Sequence, residues 1–124
     1  MPEAHDAQRY DPNNVFARIL RGELPSDRVY EDDECIAFRD VDPAAPTHIL
    51  LIPRRAGPVS TVGLGEQDAG WVGRLVVRAA RIAAEQGLAE RGYRLVLNAG
   101  PDAGQAVPHL HLHILGGGEL GPFA

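Results

Sequence analysis

The stretch VPHLHLHILGG, residues 107–117, places a histidine at every second position from His109 to His113 with apolar residues between them. Strict alternation over this length is the period of a β-strand, whose successive side chains point to opposite faces. Leu110, Leu112 and Ile114 then turn towards a core, while His109, His111 and His113 line the other face. At a rise of about 3.3 Å per residue, same-face neighbours start roughly 6.6 Å apart. That separation suits a shared ligand or a proton relay rather than stacking of the rings.

Working outward, the segments before this strand supply the rest of one domain. Tyr93 to Leu97 reads as a further strand, joined to the histidine strand by the glycine-rich loop NAGPDAGQ, residues 98–105. Upstream, Glu66 to Gln86 has acids in its first turn and Gly87 at its end, which predicts the longer of two helices. Val72, Val76, Ala79 and Ala83 are its expected buried stripe; Arg74, Arg78, Arg81 and Glu85 are its expected solvated face. GPVSTVGLG, residues 57–65, is a loop. His48 to Ile52 is nearly continuously apolar, as in a strand buried on both faces at the centre of a sheet. Two short apolar segments between Arg28 and Phe38 flank the acidic EDDE of Glu31 to Glu34 and predict a hairpin. Val15, Phe16, Ile19 and Leu20 have helical spacing after Asn13 or Asn14, with Gly22 as the stop. The order lacks repeated βαβ alternation. It predicts an α+β fold: an antiparallel sheet of about five strands with two main helices.

Composition narrows the function. At 124 residues the chain is one domain, and 44% hydrophobic with 23% charged residues is ordinary for a globular protein. The net charge is −5 and all twelve basic residues are Arg. Without a basic tract, nonspecific nucleic-acid binding is not expected, and without Lys neither Schiff-base chemistry nor a Walker A loop is available. The polar N-terminus carries no signal-peptide core and no membrane-spanning run, so a cytoplasmic protein without membrane association is expected, with residues 1–13 as a mobile arm, His5 a solvated bystander and 14–124 a single domain. The lone Cys35 between Glu34 and Ile36 suits strand packing in a reducing compartment.

Three imidazoles on one face admit three readings. A polar, solvated edge would suffice for a single histidine. A metal would use a His-x-His pair, but Cys35 lies in another strand and no partner motif appears, so no metal is expected. Nucleophilic or acid–base work by imidazole, whose pKa lies nearest neutrality, remains.

The segments DVDPAAPTHILLIPRR (residues 40–55), NAGPDAGQ and HLHLHILGG together resemble the histidine-triad (HIT) superfamily, and within it the Hint branch of nucleoside phosphoramidate hydrolases. The resemblance runs from about Val15 to Gly117. HILGG looks like the Hint branch, whereas dinucleoside polyphosphate hydrolases of the Fhit branch often continue with Pro-Arg. The resemblance implies a HIT-like fold whose sheet extends across a homodimer, and attack by His111 on the α-phosphorus of a purine nucleotide without any cofactor. It makes His113, His109 and His48 the other catalytic histidines. It places Asp40 and Val41 at the ribose, assigns Asn98 to nucleotide binding, and gives Gly104, Gln105 and Ala106 as backbone donors to phosphate. Phe16, Ile19, Leu24 and Phe38 correspond to an apolar base pocket; each also reads as ordinary core. Alternatives are a dinucleoside polyphosphate hydrolase, a nucleotidyltransferase, or a nucleotide-binding interaction dimer. Transferases of the superfamily often replace the third histidine, which is present here as His113. Two departures stand out: Ala106 lies where Hint proteins often carry Ser, and the tail GELGPFA lacks their frequent Trp-Pro ending.

Overall fold

The computed structural model describes residues 9–122, so His5 and the first eight residues of the expected arm lie outside the described residues. The first helix, α1, spans Val15–Leu20. It starts where the Asn14 side chain accepts a 2.9 Å hydrogen bond from the Ala17 N–H, and its exit is turned by Gly22 at φ +77°. Strands β1 (Arg28–Glu31) and β2 (Cys35–Arg39) form the expected antiparallel hairpin. Its turn is organised by Asp32, whose Oδ1 accepts the N–H groups of Glu34 and Cys35 at 2.8 and 2.9 Å.

β3 (Thr47–Pro53) runs through the middle of the sheet, buried on both faces as its apolar composition demands. After it come α2 (Ala69–Glu85), β4 (Tyr93–Val96) and β5 (Leu112–Gly116). Every pairing is antiparallel, and the order is β1-β2-β3-β5-β4. Gly117, at φ +84°, turns the chain out of β5 beside Pro46 and Thr47. Among the described residues, no helix is long and apolar enough to cross a membrane.

The alternation of β3 and β5 divides the core into two layers. Ile49, Leu51, Leu110, Leu112 and Ile114 face α2, where Leu75, Ala79, Ile82 and Ala83 cover them. On the opposite face, Leu50 and Ile52 join Ile36 and Phe38 under Phe16 and Ile19 of α1. His48 and His113 share that second face, because His48 is two residues from Leu50 and His113 pairs across the ladder with Leu50.

Three details differ from the sequence reading. The regular ladder of the last strand starts at Leu112, so His109 and His111 precede it, His109 in a bend, with its N–H donating to the Val107 carbonyl. Helix α2 is preceded by a separate 3-10 turn, Glu66–Asp68, and buries Trp71, Leu75, Ala79, Ile82 and Ala83. Val76, expected inside, is 40% exposed. Ala79 and Ala83 are buried as expected, and the larger side chains Trp71, Leu75 and Ile82, at helical spacing, take the rest of the buried line in place of Val76. The arginine face is also less free than expected. Arg74 holds Glu34 at 2.7 Å, and Arg78 binds Asp32 as well as Glu34, which ties α2 to the β1–β2 turn.

Candidate active site

Four histidines meet on the α1 face of the sheet; backbone groups decide the tautomers of His48, His109 and His111, and His48 decides that of His113. The Nδ1 of His111 lies 2.6 Å from the carbonyl oxygen of His109, which can only accept, so Nδ1 carries the hydrogen. The Nε2 of neutral His111 therefore keeps its lone pair, and no described group bonds to it. In His109 the order is reversed. Its Nε2–H donates to the Pro53 carbonyl at 3.0 Å, and its Nδ1 accepts from the Tyr10 hydroxyl at 3.0 Å and, more weakly, from the Asn14 amide at 3.4 Å.

His48 accepts the Ala44 N–H on Nδ1 at 3.0 Å, which leaves the hydrogen on Nε2. That Nε2–H points to His113 Nδ1 at 2.9 Å, with Asp40 Oδ2 3.5 Å from the same nitrogen. His113 consequently carries its hydrogen on Nε2. This donor is buried and has no partner among the described residues. The rings of His111 and His113 have centroids 5.0 Å apart, and Phe16 meets His111 edge-on at 4.9 Å. An acceptor nitrogen and an unpaired donor thus stand side by side.

Burial accounts for the protonation states. His109 is 1% exposed and His111 7%, so neither belongs to a solvated strand edge. Burial lowers the pKa of His48, His109 and His111, opposed by the Asp40 carboxylate at His48 and by hydrogen bonds to backbone carbonyls at the other two. His113 is lowered to about 4, by burial first and then by its neighbours His111 and His48. The set is neutral near pH 7, which keeps the His111 lone pair available.

An apolar cavity of about 430 Å³ opens beside this cluster. Phe16, Ile19, Leu24 and Phe38 line it, as do Asp40 and Val41, so the six positions drawn from separate segments converge. Val41 is fully exposed at its rim. Asn98 lies two residues past Val96, which pairs with His113 across the β4–β5 ladder, and no hydrogen bond among the described residues joins it to the histidines. The N–H groups of Gly104 and Gln105 are already bonded to the carbonyls of Pro101 and Gly100, which leaves that of Ala106. The Gln105 side chain braces the loop against Val59 and Val107. Cys35 is buried in β2 with its thiol pushed up to about 12, chiefly by burial, so it is a packing residue.

The sequence offered no further ligand beside the His-x-His pair, whereas the fold brings one atom each of Asp40, His48 and His113 within 4.8 Å of one another. Such a set could hold a divalent transition ion. Two of its nitrogens already share the His48–His113 hydrogen, which a cation would displace. The residues missed by sequence reading are Tyr10, Asn14, Ala44 and Pro53. Asn14 was legible only as a helix cap, and the backbone groups of Ala44 and Pro53 leave no mark in side-chain chemistry.

Known proteins resemble this chain over most of its length. The HIT domain family matches residues 21–120. The purine nucleoside phosphoramidase of Escherichia coli is 50% identical over 109 residues, covering 87% of this chain and 90% of that protein. Among solved structures, a HIT family hydrolase from Clostridium thermocellum superposes with a TM-score of 0.84 at 44% identity, over 89% of this chain and 95% of that one. A histidine triad protein from Clostridium difficile gives 0.86 at 38% identity, over 94% and 100%.

Proposed function

The chain belongs to the HIT domain family, and from that premise we propose that it is a hydrolase of purine nucleoside 5'-phosphoramidates working through a covalent nucleotidyl-histidine. The observation that carries this reading is the His111 tautomer: the His109 carbonyl holds the Nδ1 hydrogen, and the Nε2 lone pair is left free beside the His113 Nε2–H. The relative named as a purine nucleoside phosphoramidase supports the substrate class.

In this scheme His111 Nε2 attacks the α-phosphorus as the P–N bond to the amine breaks. The bond pair stays on the departing nitrogen, which takes up a proton and leaves as amine. Water then attacks phosphorus, loses a proton, and the bond to His111 breaks, returning the lone pair to Nε2 and releasing the nucleoside monophosphate. Each step is a displacement, so no redox partner or cofactor enters. His113 Nε2–H donates to a phosphoryl oxygen or to the departing nitrogen, and His48 fixes that hydrogen in place by occupying Nδ1. A bound phosphate places negative charge beside His113 and raises its low pKa, so that the His48–His113 pair can pass a proton to the amine. Asp40 accepts from the ribose hydroxyls, and the 430 Å³ apolar cavity takes the base.

The test is release of AMP from an AMP-amine phosphoramidate and from diadenosine polyphosphates, measured beside His111→Ala. The scheme expects the phosphoramidate to be preferred and the variant to lose on the order of a thousandfold or more. Equal activity of the variant would remove His111 as nucleophile; preference for the polyphosphates would favour a dinucleoside polyphosphate hydrolase. The same reading makes the protein a homodimer. β4 ends the sheet with Tyr93 and Leu95 only half buried, which leaves an edge for a second copy to continue. Light scattering should return twice the chain mass.

A further inference from the structure

We propose that Tyr10, in the segment ahead of α1, is a positioning residue of the histidine triad: its hydroxyl fixes the tautomer and orientation of His109, and through the anchored His109 the orientation of His111. The inference rests on the reading of His111 as nucleophile and extends the machinery beyond residues 21–120, over which the family matches.

His109 is held at both ring nitrogens. Pro53 O takes the hydrogen of Nε2 at 3.0 Å, and Tyr10 donates to Nδ1 at 3.0 Å. The two bonds are mutually dependent. A hydroxyl donating to Nδ1 stabilises the tautomer with its hydrogen on Nε2, and only that tautomer can bond to the Pro53 carbonyl. The carbonyl of His109 itself is the acceptor that keeps the His111 hydrogen on Nδ1. With its ring pinned between Tyr10 and Pro53, residue 109 is anchored through its side chain, and its backbone carbonyl is held against His111 Nδ1; loss of one anchor gives that backbone room to shift and the His111 ring room to turn with it. A small displacement of a nucleophile has a large kinetic effect.

Tyr10 is placed to do this rather than merely to fill space. Its ring lies against His109 with centroids 5.4 Å apart and packs beside Gly57, where an added Cβ would stand 3.7 Å from the tyrosine Cβ. It does not line the nucleotide cavity. Asn14 Nδ2 is the weaker second donor to the same nitrogen, at 3.4 Å, and the Asn14 amide also serves Asp11 O at 2.8 Å. Loss of the tyrosine hydroxyl therefore loosens His109 without stripping it of every donor.

Tyr10→Phe keeps the ring and removes the hydroxyl. Its kcat for the AMP-amine phosphoramidate should fall about tenfold with KM changed less than twofold, because positioning of the nucleophile is lost and binding is not. The acid limb of kcat should move to higher pH: the hydroxyl stabilises neutral His109, so its removal raises that pKa. Nitrogen-15 shifts of the histidine rings should report one His109 tautomer in the parent and two in Tyr10→Phe. An unchanged kcat with a single His109 tautomer in the variant would overturn the proposal, as would a lowered Tm accompanied by neither change. Should the parent not cleave the phosphoramidate, the proposed function fails, and the His109 and His111 nitrogen shifts still decide the role of Tyr10.

Discussion

The proposed work of the four histidines depends on which nitrogen of each carries a hydrogen: the carbonyls of Pro53 and His109 and the N–H of Ala44 set three of them, and His48 sets that of His113. At this scale two substitutions separate binding from turnover. Asp40→Ala removes the carboxylate beside His48 and at the mouth of the cavity. KM for the nucleotide should rise by roughly ten- to a hundredfold, the worth of hydrogen bonds to a charged group, and an unchanged KM in steady-state kinetics would take Asp40 away from the ribose. Ala106→Ser restores the hydroxyl that Hint proteins often carry. Ala106 is exposed and its N–H is the one in the Gly104–Ala106 loop segment not bonded within the loop. The serine should raise kcat for amine-leaving substrates several-fold while moving stability by less than about 0.5 kcal/mol; no gain in kcat would mean the hydroxyl has no part here. The histidine spacing was legible because side-chain type and period carry it, whereas Asp40, Phe16, Ile19, Leu24 and Phe38 were named only through the family resemblance, and local sequence read them equally well as turn or core. The His109 tautomer and the Tyr10 bond were not legible, because they depend on atoms that chain folding brings from 56 and 99 residues away; those of His111 and His48 rest on nearby backbone groups whose direction side-chain type does not reveal.

Elements were read most securely where composition and period agreed. The β1–β2 hairpin, central β3 and both helices appear where acidic turns, an apolar run and cap residues placed them. On α2, Ala79 and Ala83 are buried as expected and Val72 packs against the core, while Val76 faces out and Trp71, Leu75 and Ile82 complete the buried line. Only the sheet beneath, presenting Ile49, Leu51, Leu112 and Ile114, selects the line with the larger side chains. Leu75→Ala should therefore cost about 2–5 kcal/mol in urea unfolding, against less than about 1 kcal/mol for Val76→Ala. Leu75 is 4% exposed and Val76 40%, and comparable losses in the two variants would return Val76 to the buried line. Likewise the arginines of α2 looked solvated, since helix periodicity alone cannot say that the β1–β2 turn brings Asp32 and Glu34 against Arg78 and Arg74.

At the scale of the whole molecule, holding four neutral imidazoles under α1 couples folding to pH. Burial lowers the pKa of His48, His109, His111 and His113, the last to about 4, below the ordinary 6.5 of an exposed histidine. In the window between those values the unfolded chain binds more protons than the folded one, so stability rises with pH. The contribution is fully present above about 6.5 and is lost as pH falls towards 4. Carboxylates do not share that window: Asp32, Glu34, Glu23 and Asp68 are held below their ordinary values by hydrogen bonds and ion pairs, and weaken the fold only at lower pH. Urea unfolding at pH 7, 6 and 5 should thus show a falling midpoint across the histidine range. His113→Gln, which removes the most strongly shifted titrating group, should flatten the fall. A midpoint constant from pH 7 to 5, or one rising on acidification, would mean the imidazoles are not held neutral. On the proposed reading the coupling also runs towards the ligand, because an anionic phosphate bound beside His113 would raise its pKa. Nucleotide binding near pH 5 should therefore take up protons, read by calorimetry in buffers of different ionisation enthalpy, whereas binding at pH 8 should not.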